Sequence, residues 1–136
     1  MNSYLFDTCF LIDLEREMRR GPGKAHQFLQ LHAAARACIS WTVTGEFAEG
    51  FGDIHHPACA AMLARFEILS MDHTTAHLYA VTTRHLRAKN QLIGFNDHWI
   101  AAAALARREV VATRNLKDFQ RFVPHGLMLE AIPTVD

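Results

Sequence analysis

Apolar residues along this chain alternate between two rhythms. Tyr4-Leu5-Phe6 is a short continuous run that stops at Asp7, and Phe10, Leu11, Leu14 and Met18 follow at helical spacing, so a strand and then a helix are predicted. Gly21-Pro22-Gly23 breaks the chain, after which Ala25, Phe28, Leu29, His32 and Ala35 resume a helical stripe. Ala37-Cys38-Ile39-Ser40 reads as a second strand and feeds a segment from Val43 to Phe51 that carries Glu46 and ends at Gly50 and Gly52. Pro57 suits the first turn of a helix continued by Ala58 to Arg65, and Phe66-Glu67-Ile68-Leu69-Ser70-Met71 is a third strand. Asp72 or Thr74 is expected to cap a long helix with Ala76, Tyr79, Ala80, Thr83 and Leu86 on one face. Residues 90–95 read as a loop, and Asn96 or Asp97 as the cap of Trp99 to Ala106, a run apolar all round and hence expected in the core. Glu109-Val110-Val111-Ala112-Thr113 is the fourth strand, followed by a short helix from Leu116 to Phe122.

Strands that alternate with helices imply an α/β sandwich on a mostly parallel sheet of four to five strands, in which ligands gather beyond the strand carboxyl ends. Four acids stand at such places. Asp7 ends the first strand, Glu46 lies a turn past the second, Asp97 opens the helix leading into the fourth, and Asp118 follows that fourth strand. Ionised carboxylates next to a core are tolerated when paired or when they bind a cation, so four of them at one sheet edge suggest a divalent-metal site. Magnesium and manganese prefer oxygen ligands, and magnesium keeps several waters while taking one or two carboxylates directly. Such ions activate water in phosphodiester hydrolysis without a protein nucleophile.

Composition narrows the picture further. The 136 residues fit one domain, 1–136, and half of them are apolar, which excludes a disordered chain. No apolar window is long enough to span a bilayer, and the opening Met1 to Asp7 lacks a basic leader, so a cytoplasmic protein with no membrane partner is expected. Net charge is zero but uneven. Residues 1–83 hold six Lys/Arg against nine Asp/Glu, residues 84–121 hold eight against three, and residues 122–136 add two acids, giving −3, +5 and −2. The basic stretch surrounds Asp97 and Asp118, as a metal enzyme with a polyanionic substrate requires.

The segments Leu5-Phe6-Asp7-Thr8-Cys9-Phe10-Leu11-Ile12-Asp13-Leu14, Thr44-Gly45-Glu46, Asn96-Asp97-His98-Trp99-Ile100-Ala101-Ala102 and Thr113-Arg114-Asn115-Leu116-Lys117-Asp118-Phe119 together resemble the PIN domain, in particular the VapC-type ribonuclease toxins of bacterial toxin–antitoxin pairs. The resemblance runs through nearly the whole chain in order. It implies a PIN-like nuclease fold and a Mg2+-dependent endoribonuclease, with Mn2+ as a substitute, that cuts RNA by metal-activated water. It further implies a homodimer held inactive by a cognate VapB-type antitoxin whose C-terminal segment lies over or near the site. On this match Asp7 and Asp97 are the principal metal ligands, Glu46 is a further ligand or holds metal-bound water, and Asp118 is the fourth acid, with Thr113 a supporting hydroxyl. Members differ at the last corner, so Asp118 or Asn115 completes the set. Cys9 departs from the family, which more often has Asn or Ser there.

Other residues are read more plainly. Cys9, Cys38 and Cys59 are widely spaced without a C-x-x-C and are expected to be small buried apolar residues. His73 and His77 share a helix face, but no third ligand accompanies them, while His55 and His56 precede Pro57 at a turn and are expected in solvent. Trp41 and Trp99 adjoin core segments and are expected to pack there. The alternative to an RNA-cleaving enzyme is a PIN-fold module that binds RNA or a partner without cutting.

Overall fold

The computed structural model describes residues 2–133; Met1 and residues 134–136 of the expected 1–136 domain lie outside the described residues. Five parallel strands form the sheet: β1 (Ser3–Phe6), β2 (Arg36–Ser40), β3 (Glu67–Leu69), β4 (Val110–Thr113) and β5 (Met128–Ala131), in the order β3-β2-β1-β4-β5. β1 is central, with Tyr4 in register with Ala37 on one side and Val110 on the other. All strands run the same way, so their carboxyl ends make one edge. The helices are α1 (Thr8–Arg20), α2 (Lys24–Leu31), α3 (Trp41–Glu49), α4 (Pro57–Leu63), α5 (His73–Ala88), α6 (Phe95–Arg107) and α7 (Leu116–Phe119), the last running into a 3-10 turn over Gln120–His125.

Burial follows the apolar pattern where strands meet helices. Leu5, Phe6, Leu11, Leu14, Ile39, Ile100, Val111, Phe119 and Phe122 are all buried, and Phe6 stacks on Phe10 at 4.0 Å between ring centroids. Met18, expected on the same stripe as Leu14, is exposed in the last turns of α1, whose buried residues are Phe10, Leu11 and Leu14. Gly21, at φ +125°, ends that helix in a backbone shape that a side chain would strain. Glu17 then turns the chain into α2 by accepting backbone N–H bonds from Gly23, Ala25 and His26 at 2.8, 3.0 and 2.9 Å. These are orphan donors of a helix start, so Glu17→Ala should lower stability by about 1–2 kcal/mol, read by urea unfolding.

Several sequence expectations shift. Asp72 caps α5 reciprocally with Thr75, as expected, but the buried face of that helix is Thr75, Thr82 and Leu86, with Ala76 and Ala80 exposed. Thr82 holds an interior position because its hydroxyl is satisfied, by the Leu78 carbonyl at 2.7 Å and by Nε2 of the buried His98 at 2.8 Å. α6 starts before either proposed cap: Gly94 is its N-cap and Asp97 sits inside the first turn. Trp41 is 53% exposed at the start of α3, whereas Trp99 is half-buried and stacks on Tyr79 at 3.8 Å. The strand predicted over residues 66–71 is only three residues long, and β5 was not marked by the apolar pattern. Among the described residues no helix is long and apolar enough to cross a membrane.

Candidate active site at the carboxyl edge of the sheet

The central strand delivers the first acid. Asp7 follows Phe6 at the end of β1 and caps α1, its Oδ1 accepting the Phe10 N–H at 3.1 Å, while Oδ2 accepts the Thr113 hydroxyl at 2.6 Å from the end of β4. It is buried, and burial raises its pKa against the pull of Thr113, the Phe10 N–H and Arg114. Thr113 in turn accepts the Asn115 N–H at 2.8 Å, which fixes the turn after β4.

The other three acids arrive on helices. Glu46, on α3, accepts the Thr8 hydroxyl at 2.6 Å and the Asn96 amide at 2.8 Å, so it is tied both to α1 and to the first turn of α6. Asp97 accepts the Asn115 side-chain amide at 3.3 Å, and the same amide reaches Asp118 on α7 at 3.4 Å. Asn115 and Asp118 thus both stand at this corner, Asn115 as the donor to two carboxylates. Burial, followed by the charges of Asp7, Glu46 and Asp118, pushes the Asp97 carboxyl up to about 6, with the Asn115 hydrogen bond opposing. The other three sequence-expected acids thus lie close enough to act on Asp97.

Their spacing bears on what they can hold. Among the described residues no three His, Cys, Asp or Glu side chains already close on one point as metal ligands. A caged, fully protein-ligated ion is not the arrangement on offer. The residues fit a hard cation that keeps much of its water: the four acids offer only oxygen atoms, and a carboxyl raised by burial and by three like charges would be relieved by a positive one.

Sequence reasoning passed over the second rank of residues. Thr8 and Asn96 each stand directly beside a chosen acid in the chain, which was a usable signal, yet both serve Glu46 rather than their neighbour. Arg114 donates to Asp13 at 2.8 Å beside the site, a pairing across 101 positions that no local pattern announces. Cys9 is half-buried rather than buried like Cys38 and Cys59, and burial and then Asp7 raise its thiol pKa. His73, His77, His55 and His56 are exposed, and His56 caps α4 through the Ala58 N–H.

The basic stretch is only partly at this edge. Arg114 and Lys117 flank the acids in the chain, and Arg121 donates to the carbonyls of Gln91 and Leu92, both at 3.1 Å, pinning the connection into α6. Arg107 lies near Glu67 and Asp72, and with Arg108 closes the opposite end of α6, so these two cations do not surround the acids.

The fold is thus a parallel five-stranded sheet with four acids brought together by its central strand and three helices. No family model matches the chain. Among curated proteins it is similar to Ribonuclease VapC1 of Haemophilus influenzae strains R2866 and 86-028NP, each 29% identical over 123 residues that cover 87% of this chain and 90% of the relative. Among solved structures it is similar to VapBC2 from Rickettsia felis bound to a promoter DNA fragment (TM-score 0.80, 25% identity, 95% of this chain and 98% of that one). DNA-bound VapBC from Salmonella typhimurium gives a TM-score of 0.78 at 27% identity, covering 98% of this chain and 100% of that one. VapBC-1 from nontypeable Haemophilus influenzae gives 0.76 at 27% identity, covering 95% and 97%. The VapC-type PIN resemblance read from the sequence is borne out by both kinds of comparison.

Proposed function

We propose that this chain is a magnesium-dependent endoribonuclease, the toxin of a VapBC-type toxin–antitoxin pair, that hydrolyses RNA phosphodiester bonds with water as nucleophile. The observation that carries the reading is the gathering of four acids, with the Asp97 carboxyl pushed up to about 6 by burial and then by the charges of Asp7, Glu46 and Asp118, an arrangement that a bound cation relieves. Support also comes from the curated relatives, which are named ribonucleases, and from the solved neighbours, which are toxin–antitoxin complexes.

In this reading Asp7 and Asp97 hold the ion, Glu46 is a further ligand or positions its water, and Asp118 is the fourth acid. Bound there, Mg2+, or Mn2+ in its place, supplies positive charge against the phosphodiester and lowers the pKa of the attacking water. Thr113 orients Asp7 through its 2.6 Å hydrogen bond, and Asn115 holds Asp97 and Asp118 at a fixed separation. Thr113→Val should therefore reduce cleavage by roughly 10–100-fold, the usual effect of losing a group that orients a ligand, in an initial-rate assay at saturating Mg2+.

The proposal extends to a VapB-type antitoxin, a homodimer and a cytoplasmic setting. Leu31 at 82% and Phe95 at 76% exposure are the sort of apolar side chains that a partner covers. The function is tested by incubating purified protein with structured RNA, with and without Mg2+, and mapping the new ends. Recurrent ends that need Mg2+ are expected. RNA retained intact at every Mg2+ concentration would favour a binding module that does not cut.

A further inference from the structure

Beside the acids, between α1, the start of α2 and the chain leaving β4 and β5, lies a polar cavity of about 200 Å3. Asp13, Arg16, Glu17, Lys24 and Arg114 line it. Its two acids are already committed. Glu17 accepts three backbone N–H groups at the start of α2, and Asp13 accepts Arg114 at 2.8 Å and Arg16 at 3.3 Å. The cations are not equally spent: Lys24 forms no ion pair among the described residues, and Arg114 and Arg16 each use one nitrogen on Asp13. Three positive groups therefore line one hollow, and Asp13 holds two of them, Arg16 and Arg114.

Position ties this hollow to the site. Arg114 directly follows Thr113, whose hydroxyl holds Asp7, and Asn115, which bridges Asp97 and Asp118, comes next. One turn after β4 thus contributes to the acid site and to the cationic cavity beside it. A guanidinium with free N–H groups and an unpaired ammonium are the groups that engage phosphate oxygens without reading bases.

We propose that Lys24, Arg16 and Arg114 form a phosphate-binding subsite that takes the backbone of a single-stranded RNA next to the scissile bond. The proposal rests on the nuclease reading, and its consequence is for affinity and register: the subsite holds a flanking phosphodiester so that the next one lies against the acids. It acts alike on all sequences.

Binding of a labelled single-stranded oligoribonucleotide, followed by fluorescence anisotropy across a salt series in an Asp7→Asn background, separates this subsite from chemistry. Each phosphate contact on a single strand contributes a slope of about −0.7 in log K against log salt. Lys24→Ala and Arg16→Ala should each flatten the slope by about 0.7 and weaken binding about fivefold at 0.1 M salt, equally for oligonucleotides of different sequence. Arg107→Ala, at the far end of α6, should leave the slope unchanged. Slopes unaltered by Lys24→Ala and Arg16→Ala, or lowered equally by Arg107→Ala, would overturn the subsite. Expected slopes together with a parent protein that never cuts RNA in Mg2+ would sink the nuclease reading and leave the subsite standing. Cleavage by the parent with unaltered slopes would do the reverse.

Discussion

Asp97→Asn is expected to slow RNA cleavage by roughly 10²–10³-fold at neutral pH, the scale seen when one preorganised electrostatic group is removed from a reacting centre. Asp7→Asn should fall at least as far. Asparagine keeps the shape of either side chain, and its amide oxygen can still accept the Phe10 N–H at position 7 or the Asn115 amide at position 97. What disappears is the negative charge and, at position 7, the second oxygen that accepts the Thr113 hydroxyl. Single-turnover rates at saturating Mg2+ would measure the loss, and unchanged rates in both variants would remove these acids from the chemistry.

The same Asp97→Asn change should make the metal-free protein more stable. The Asp97 carboxyl stands at about 6 in the folded chain against an ordinary 3.8, so folding favours its protonated form. Below pH 3.8 both states carry the proton and no penalty exists; between 3.8 and about 6 the unfolded chain releases it first and the penalty grows; above 6 it is fully present. A gap of this size is worth about 3 kcal/mol if taken whole, and partial exposure with charge shared among four acids reduces the expectation to about 1–2 kcal/mol. At pH 7.5 without divalent metal, thermal unfolding should show Asp97→Asn melting about 4–8 °C above the parent, with the difference vanishing toward pH 4. A variant less stable than the parent at pH 7.5 would mean that the carboxylate is held by favourable contacts instead. Together the two effects describe a site that gives up stability for charge density.

Much of this was legible in the chain because a parallel sheet puts the residue after each apolar run at one edge. Asp7 was the clearest case, an acid directly behind Leu5-Phe6, and it proved to be buried on the central strand. Asp97 does stand among the other acids, but the capping role read for it locally was imperfect. It does not cap α6; Gly94 does, so the helix begins two or three residues earlier than the polar pair suggested. The exposure of Trp41 was not readable, because the residue after a capping Ser40 belongs to whichever face the helix turns outward. Nor was β5: Met128 and Ala131 are exposed and Leu129 and Glu130 are half-buried, so an edge strand left no alternation to follow.

Charge along the sequence misled in a different way. Residues 84–121 hold a block of +5, but α6 runs away from the acids and carries Arg107 and Arg108 to the other end of the sheet. Meanwhile Arg16 and Lys24, from the net-negative first segment, join Arg114 at the cavity beside the site. Linear charge counts place cations on a segment, whereas helix direction decides which end of the domain they reach.

The most direct test of a divalent-cation site built from these acids is a Mg2+ titration of thermal stability at pH 7.5, run on the parent and on Asp97→Asn. Binding to the folded state raises Tm with the logarithm of free metal. The parent should rise steadily, and less so at pH 5, where the Asp97 carboxyl is largely protonated, while Asp97→Asn should start higher and stay flat. An equal rise in both proteins, or none in the parent at any Mg2+ concentration, would contradict the site.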